Sequence, residues 1–194
     1  MGHRSGVTLI ELILVIVIAG IIAAMAIPHV NYVGYQMNQN VAAVRSGIQR
    51  AQALAVSKQH NVIVSYKSAS QLWVIEDNND NLSWDTGERR TVIGLQYGAR
   101  FYQPSVGLTI SGCSATVTKP GLNGSSLTAS VGGTTSSGPA FVFRGDGAAS
   151  SDGEIYLTSK RGYSADARAV CVLQGTGHVD EYKYLAAVWT RAGF

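Results

Sequence analysis

Charge is scarce in this sequence, and clusters of reactive side chains are scarcer still. Asp, Glu, Lys and Arg make up 14% of its 194 residues, and 15 Lys and Arg against 12 Asp and Glu leave a net charge of +3. So small a basic surplus does not by itself argue for a nucleic-acid partner. The four histidines, His3, His29, His60 and His178, fall into no metal-ligand spacing. Serines are plentiful, yet none sits in a Gly-x-Ser-x-Gly elbow. No catalytic constellation stands out, so the chain is expected to be no enzyme and to need neither metal nor cofactor. There is no internal repeat and only one membrane-length apolar run, which leaves room for one anchoring helix and one globular domain of about 135 residues.

What is present gathers first at the amino end. Residues 12–27 are sixteen in a row without a charge, preceded by Glu11 and followed by Pro28. Counted over 7–27 the apolar stretch is 21 residues, about 31 Å as a helix and enough to cross a bilayer core of about 30 Å. Glu11 would then lie about one turn inside the lipid, where an ionisable group costs a few kcal/mol unless it finds a partner. Three readings account for the stretch differently. An ordinary transmembrane anchor leaves Glu11 uncompensated. A secretory signal peptide would use Ala24-Met25-Ala26 as its cleavage site, but its apolar region would open on an acid and Pro28 would follow the cut. Cleavage after Gly6 would instead create an ammonium on Val7, and that charge is the partner Glu11 lacks.

The segment Gly6-Val7-Thr8-Leu9-Ile10-Glu11 resembles the processing site of type IV pilins and type II secretion pseudopilins. The resemblance implies that a prepilin peptidase cuts between Gly6 and Val7, that Val7 becomes N-methylated, and that Glu11 pairs with the terminal amine of a neighbouring subunit during assembly. Gly20 and Pro28 fall where the family keeps a helix-loosening glycine and a kinking proline, whereas Val7 departs from its usual phenylalanine. The implied partners are other pilin or pseudopilin subunits, the prepilin peptidase, an inner-membrane assembly platform and, before assembly, membrane lipid.

Orientation follows from charge. Arg4 precedes the apolar run and the next Lys or Arg is Arg45, so the amino end is expected in the cytoplasm and everything after Pro28 outside the inner membrane. Cys113 and Cys171 lie in that exported part, where an oxidising compartment favours a disulfide; two buried free thiols are the alternative. After Pro28, Val30, Val33, Met37, Val41, Val44, Ile48, Ala51 and Leu54 recur at spacings of three and four, the stripe of an amphipathic helix. The helix is expected to run from about residue 8 to 57 with a bend at Pro28, locally loosened at Gly34 and Gly47. From residue 60 onward, short β-branched and aromatic runs alternate with turn clusters. Strands are expected at 62–67, 72–76, 90–97, 108–111, 115–119, 140–144, 154–159, 168–173 and 186–190. Residues 121–138, rich in Gly, Ser and Thr, read as a mobile loop with one short strand at 127–131.

The order of long helix and then β-rich head is that of the pilin superfamily. Gln71-Leu72-Trp73-Val74, the run from Phe141 through Gly147 and the later Gly153-Glu154-Ile155-Tyr156-Leu157 resemble the head of GspH/FimT-type minor pilins. In some of these a glycine-arginine-x-arginine motif near the carboxyl end is tied to DNA uptake. Here the corresponding residues from Gly175 to Asp180 contain no arginine.

Three smaller patterns compete with plainer explanations. Asp77, Asn79, Asn81, Ser83, Asp85 and Glu88 fill the oxygen positions of a calcium loop, but Leu82 stands where that loop needs glycine, so a solvated Asn/Asp turn is the better reading. Arg144-Gly145-Asp146 is read as turn chemistry in preference to an adhesion tripeptide. Lys160, Arg161, Arg168, Lys183 and Arg191, interleaved with Tyr163, Tyr182, Tyr184 and Trp189, are candidates for a basic, aromatic face toward single-stranded nucleic acid, with Lys160 and Arg161 as the named contacts. A solvated surface over half-buried strand aromatics is preferred to it.

The expected fold is therefore α+β and pilin-like: a leader over 1–6, a hydrophobic transmembrane and assembly helix over 7–29, its amphipathic continuation over 30–57, and a β-rich head over 58–194. The expected function is that of a minor pilin or pseudopilin, a structural subunit of a type II secretion pseudopilus or a type IV pilus, with a pilus-tip receptor for DNA or a surface as the alternative.

Overall fold

The computed structural model describes residues 6–26, 32–101, 110, 113, 122–123, 129–131, 134–136, 140–186 and 188–192. The chain divides into two compact units, 1–32 and 33–194. The first contains helix α1 (Leu9–Ala26). Thr8 starts it: the Glu11 amide donates to Thr8 Oγ1 at 3.3 Å and to the Thr8 carbonyl at 3.1 Å, the bonding of an N-cap threonine followed three residues later by glutamate. From there α1 is apolar on every side, and each residue from 9 to 23 is exposed.

Among the described residues no helix is long and apolar enough to cross a membrane. The expected segment 7–27 is longer than α1 because the Thr8 cap holds Val7 and Thr8 outside the helix, and residue 27 lies outside the described residues. The 18 residues of α1 span about 27 Å, somewhat short of the roughly 20 residues that a bilayer core requires. Pro28, where a bend was expected, also lies outside the described residues.

In the second unit, helix α2 (Tyr32–Lys58) buries Met37, Asn40, Val41, Val44, Ile48, Ala51 and Ala55. These recur every three or four residues and so form one face. That face meets two antiparallel sheets. Strands β1 (Asn61–Ser68) and β2 (Gln71–Asp77) form a hairpin, flanked by β3 (Arg90–Gly94) on β2 and β8 (Ala140–Phe143) on β1. In the second sheet β9 (Gly153–Thr158), β10 (Arg168–Val172), β11 (Val179–Leu185) and β12 (Val188–Arg191) follow one another antiparallel. The short β4 (Arg100–Phe101) and β5 (Leu122–Asn123) pair with the free side of β9. Strands β6 (Ala129–Val131) and β7 (Thr134–Ser136) pair with each other antiparallel.

Both sheets are buried on two faces, and the two-residue period of a strand sorts their side chains. Val62, Val64, Leu72, Val74 and Ile93 of the first sheet share a core with Ile155, Leu157, Val170, Val172 and Val179 of the second and with the apolar face of α2. Their neighbours point away: Ile63, Ile75 and Val142 lie under Trp73, Leu82 and Trp84, while Tyr156, Ala169 and Cys171 lie with Ile110 and Cys113 under Leu173, Tyr182 and Trp189. Gly47 marks a close approach of α2 to the first sheet, since a Cβ there would stand 2.8 Å from Ile93 Cγ1. The glycine that weakens the helix thus lets Ile93 close over it.

Several expected strands need correction. The stretch 121–138, read as a loop with one strand, holds β5, β6 and β7 among its described residues. The strand expected at 186–190 is the second arm of a hairpin that turns at Ala186, whose φ is 47°; its first arm, β11, was not expected at all. Expected strand 90–97 ends at Gly94. Residues 115–119 lie outside the described residues, as do 108, 109 and 111, and the described residue 110 is in no strand.

Candidate functional site

The assembly residues suggested by the sequence come first. Gly6, Val7 and Thr8 are exposed and non-helical, directly before the Thr8 cap. Glu11 occupies the first turn of α1, where a carboxylate is favoured by the partial positive charge of the helix start. It is the single ionisable side chain among the 18 residues of α1. Leu9 is 78% exposed, and Ile10, Leu12, Ile13 and the aliphatic residues through Ile22 are all open. A Cβ added at Gly20 would meet nothing within 4 Å, so nothing in the described chain requires glycine there. A helix that is apolar all round, with its described side chains exposed, is of the kind that lipid or partner helices cover.

The basic residues near the carboxyl end do not gather into one face. Arg161 forks onto Asp166, with Nη2 to Oδ1 at 2.9 Å and Nε to Oδ2 at 3.2 Å, and the Ser159 hydroxyl donates to Asp166 Oδ2 at 2.5 Å. Burial alone would raise the Asp166 carboxyl, but the Arg161 fork, the Ser159 hydroxyl and the charges of Arg161 and Arg168 together hold it below its ordinary range. Arg168 is buried. Its Nε donates to Asn38 Oδ1 of α2 at 2.9 Å and its Nη1 to the carbonyls of Ala165 and Ala167, and desolvation pulls its pKa down. Register opposes Lys183 to Arg168, which turns Lys183 to the α2 side, whereas Arg191 binds Asp180 on the other side of β11. Of the candidate nucleic-acid contacts, Lys160 remains exposed without an acidic partner among the described residues, and Arg161 is committed to Asp166.

The aromatics are likewise committed to one another. Trp189 packs 5.4 Å from Tyr156 and 5.2 Å from Tyr184, ring centre to ring centre. Beneath them Cys113 and Cys171 are joined by a disulfide with their Cα atoms 6.1 Å apart. The Tyr156 hydroxyl donates to the buried Glu154 carboxylate, and burial, then that carboxylate, push the phenol strongly upward.

The acidic turn of the calcium pattern consumes its own oxygens. Asp77 accepts from the amides of Asn81 at 3.1 Å and Leu82 at 2.7 Å, Asp85 from the side chains of Asn79 and Asn81, and Glu88 from the amides of Asn78 and Asp85. Leu82 has a φ of 60° and lies over Ile63 and Ile75, so the residue that departs from the calcium pattern serves as a lid. Among the described residues no group of His, Cys, Asp or Glu could hold a metal ion. At Arg144 the chain turns back on itself, the Gly147 amide donating to the Arg144 carbonyl at 2.8 Å. A groove of about 400 Å³ between α2 and β3 carries Arg50 as its one ionisable lining residue and offers no acid and base pair.

Two polar devices were missed in the sequence. Buried Asn40 donates to the Gln96 carbonyl at 3.2 Å and accepts from the Gln96 amide at 2.8 Å, tying the segment after β3 to α2. Gln52 Nε2 donates to the Gly147 carbonyl at 2.8 Å and the Thr176 carbonyl at 2.9 Å, clamping two turns 29 residues apart in sequence onto the helix. The second turn admits nothing larger than glycine at position 177, because a Cβ there would overlap the Gly147 carbonyl oxygen and the Gln52 amide. Asparagine and glutamine on a polar-looking helix side carry no periodic signal; only their distant carbonyl partners reveal them.

An apolar helix, and an amphipathic helix whose apolar face closes on antiparallel sheets, make up the α+β fold of the pilin class. The family model of the prokaryotic N-terminal methylation motif matches residues 1–27, and that of the type II transport protein GspH matches residues 40–176. The chain therefore belongs to the GspH family, and is a minor pilin or pseudopilin of the type II secretion or type IV pilus kind. No curated protein matches the chain, and neither does any solved structure. Proteins of these two families are structural subunits.

Proposed function

We propose that this protein is a non-enzymatic subunit of a type II secretion pseudopilus or type IV pilus. It is made as a single-pass precursor in the inner membrane with its amino end in the cytoplasm. A prepilin peptidase removes residues 1–6 and Val7 is N-methylated. The apolar segment 7–27 then leaves lipid for a bundle of like helices on an inner-membrane assembly platform. The observation that carries this reading is α1 itself, exposed and apolar on all sides with Glu11 alone in its first turn. Lipid or other subunits supply the missing cover. Inside such a bundle Glu11 meets the terminal amine of an adjacent Val7, and the pair selects subunit register more than it adds stability, because desolvating two charges offsets most of their attraction.

Amino-terminal sequencing of the mature protein tests the processing step. A start at Val7 is expected. A start at Ile27 would mean that the apolar segment is a discarded signal, and a start at Met1 or Gly2 that it is an unprocessed anchor. The tip-receptor alternative gains no support from the head, whose arginines at 161, 168 and 191 are held by Asp166, Asn38 and Asp180.

A further inference from the structure

One end of the head, where the chain enters it at Val33, collects exposed tyrosines and cations. Val33, Gln36, Met37 and Asn40 of α2 share a small cleft with Tyr97, Ala99, Ser159, Lys160 and Arg161. Around this end Tyr35 is 61%, Tyr97 53% and Tyr163 64% exposed, and Tyr97 has a φ of 59°. Arg161 lies over the Tyr163 ring at 5.3 Å. The Lys160 stem packs 3.4 Å from the position a Cβ would take on Gly98, and the Lys160 carbonyl accepts from Arg100 Nη2 at 3.3 Å. Arg161 is neutralised by Asp166, which leaves Lys160 and Arg100 as two exposed positive charges with no acidic partner among the described residues.

Tyrosine with an apolar ring and a wet hydroxyl, next to long basic side chains, suits the boundary between lipid and water. These residues lie at the end of the head that begins α2, and in the sequence only residues 27–31 stand between α2 and the apolar helix α1.

We infer that Tyr35, Tyr97 and Tyr163 with Arg100, Lys160 and Arg161 form a collar that rests the unassembled head on an anionic phospholipid surface. The inference rests on the proposed membrane anchoring of segment 7–27. Before assembly the collar holds the head against the outer leaflet of the inner membrane; extraction into the fibre then breaks a weak, salt-sensitive contact.

The test is hydrogen–deuterium exchange of the full-length protein in nanodiscs of phosphatidylcholine alone or mixed with phosphatidylglycerol. Exchange over 95–101 and 159–166 should slow in the anionic discs, by up to about 25-fold if each of the two free cations contributes about a factor of five. The hairpin 61–77 should be unaffected. Arg100→Gln with Lys160→Gln should abolish the difference; if that variant exchanges faster in the hairpin as well, raised salt on the unsubstituted protein makes the same test by screening the charges. Inserted protein whose exchange is the same in both discs, or whose protection ignores salt, overturns the collar and leaves the anchor standing. Protein that does not enter the discs overturns both.

Discussion

Gly177→Ala is a sharp perturbation of the head, because the turn it occupies is held against α2 through Gln52. Gly177 has a φ of 63°, and a residue with a Cβ loses about 1–2 kcal/mol in that left-handed region. Its new methyl would also overlap the Gly147 carbonyl oxygen and the Gln52 amide. Displacing Gln52 gives up its bonds to the Gly147 and Thr176 carbonyls, about 1 kcal/mol each. The sum is about 3–4 kcal/mol, which for a chain of this size lowers the thermal midpoint by about 10 °C. Near-ultraviolet circular dichroism of the full-length protein in a non-ionic detergent reads this directly. Gln52→Ala alone should cost about 2 kcal/mol, and the double substitution should cost clearly less than the two singles added, since alanine at 177 has already expelled Gln52. Gly177→Asn separates strain from overlap: asparagine tolerates the left-handed region but keeps the clash, so it should recover the strain part alone and still lose about 2 kcal/mol. A loss within about 1 kcal/mol for Gly177→Ala, or full rescue by asparagine, would refute the steric part of the account.

Glu11→Ala should leave membrane insertion and cleavage intact and sharply reduce recovery of the subunit in sheared fibres; normal incorporation would remove the proposed charge pair. Reducing the Cys113–Cys171 bridge opens a loop whose ends are 58 residues apart, a loss of about 4 kcal/mol in the chain-entropy model. The midpoint should fall by roughly 10 °C, and a fall of only a degree or two with fully titrated thiols would contradict it. Asp166→Asn should destabilise at neutral pH by about 1–2 kcal/mol, a value kept small because Arg161 is 47% exposed. Since the folded carboxyl lies below its ordinary 3.8, the wild-type advantage is present above that pH and vanishes as pH falls through the folded value. Parallel pH titrations of the midpoint should therefore converge on the acid side, and curves that converge toward alkaline pH would contradict the assigned direction.

Much of the head was legible because its apolar residues keep a period. The stripe from Val33 to Leu54 gives α2 its buried face, and the β-branched runs at 62–67 and 72–76 correspond to β1 and β2, longer by a residue at each end. Strand β11 was illegible for a physical reason. Its α2-facing positions include Glu181 and Lys183, opposite Val170 and Arg168, so polar side chains stand where alternation would need apolar ones. The basic residues, already read in preference as a solvated surface, find partners that only folding fixes: Asp166 lies five residues beyond Arg161, and the 3-10 turn Ser164–Asp166 folds it back beneath the guanidinium.

By itself, the sequence determines what depends on composition along one element: an α1 apolar on all sides with one acid in its first turn, a single-faced α2, and a series of short β-branched strands. The tertiary structure alone decides which distant atoms meet. It sets the Cys113 and Cys171 Cα atoms 6.1 Å apart, spends three arginines on local partners, and hangs two turns from Gln52. Burial can be read from a periodic pattern because apolar area is additive and non-directional. Hydrogen bonds and ion pairs act over a few tenths of an ångström and a narrow angle, so their partners exist only once the backbone has placed them.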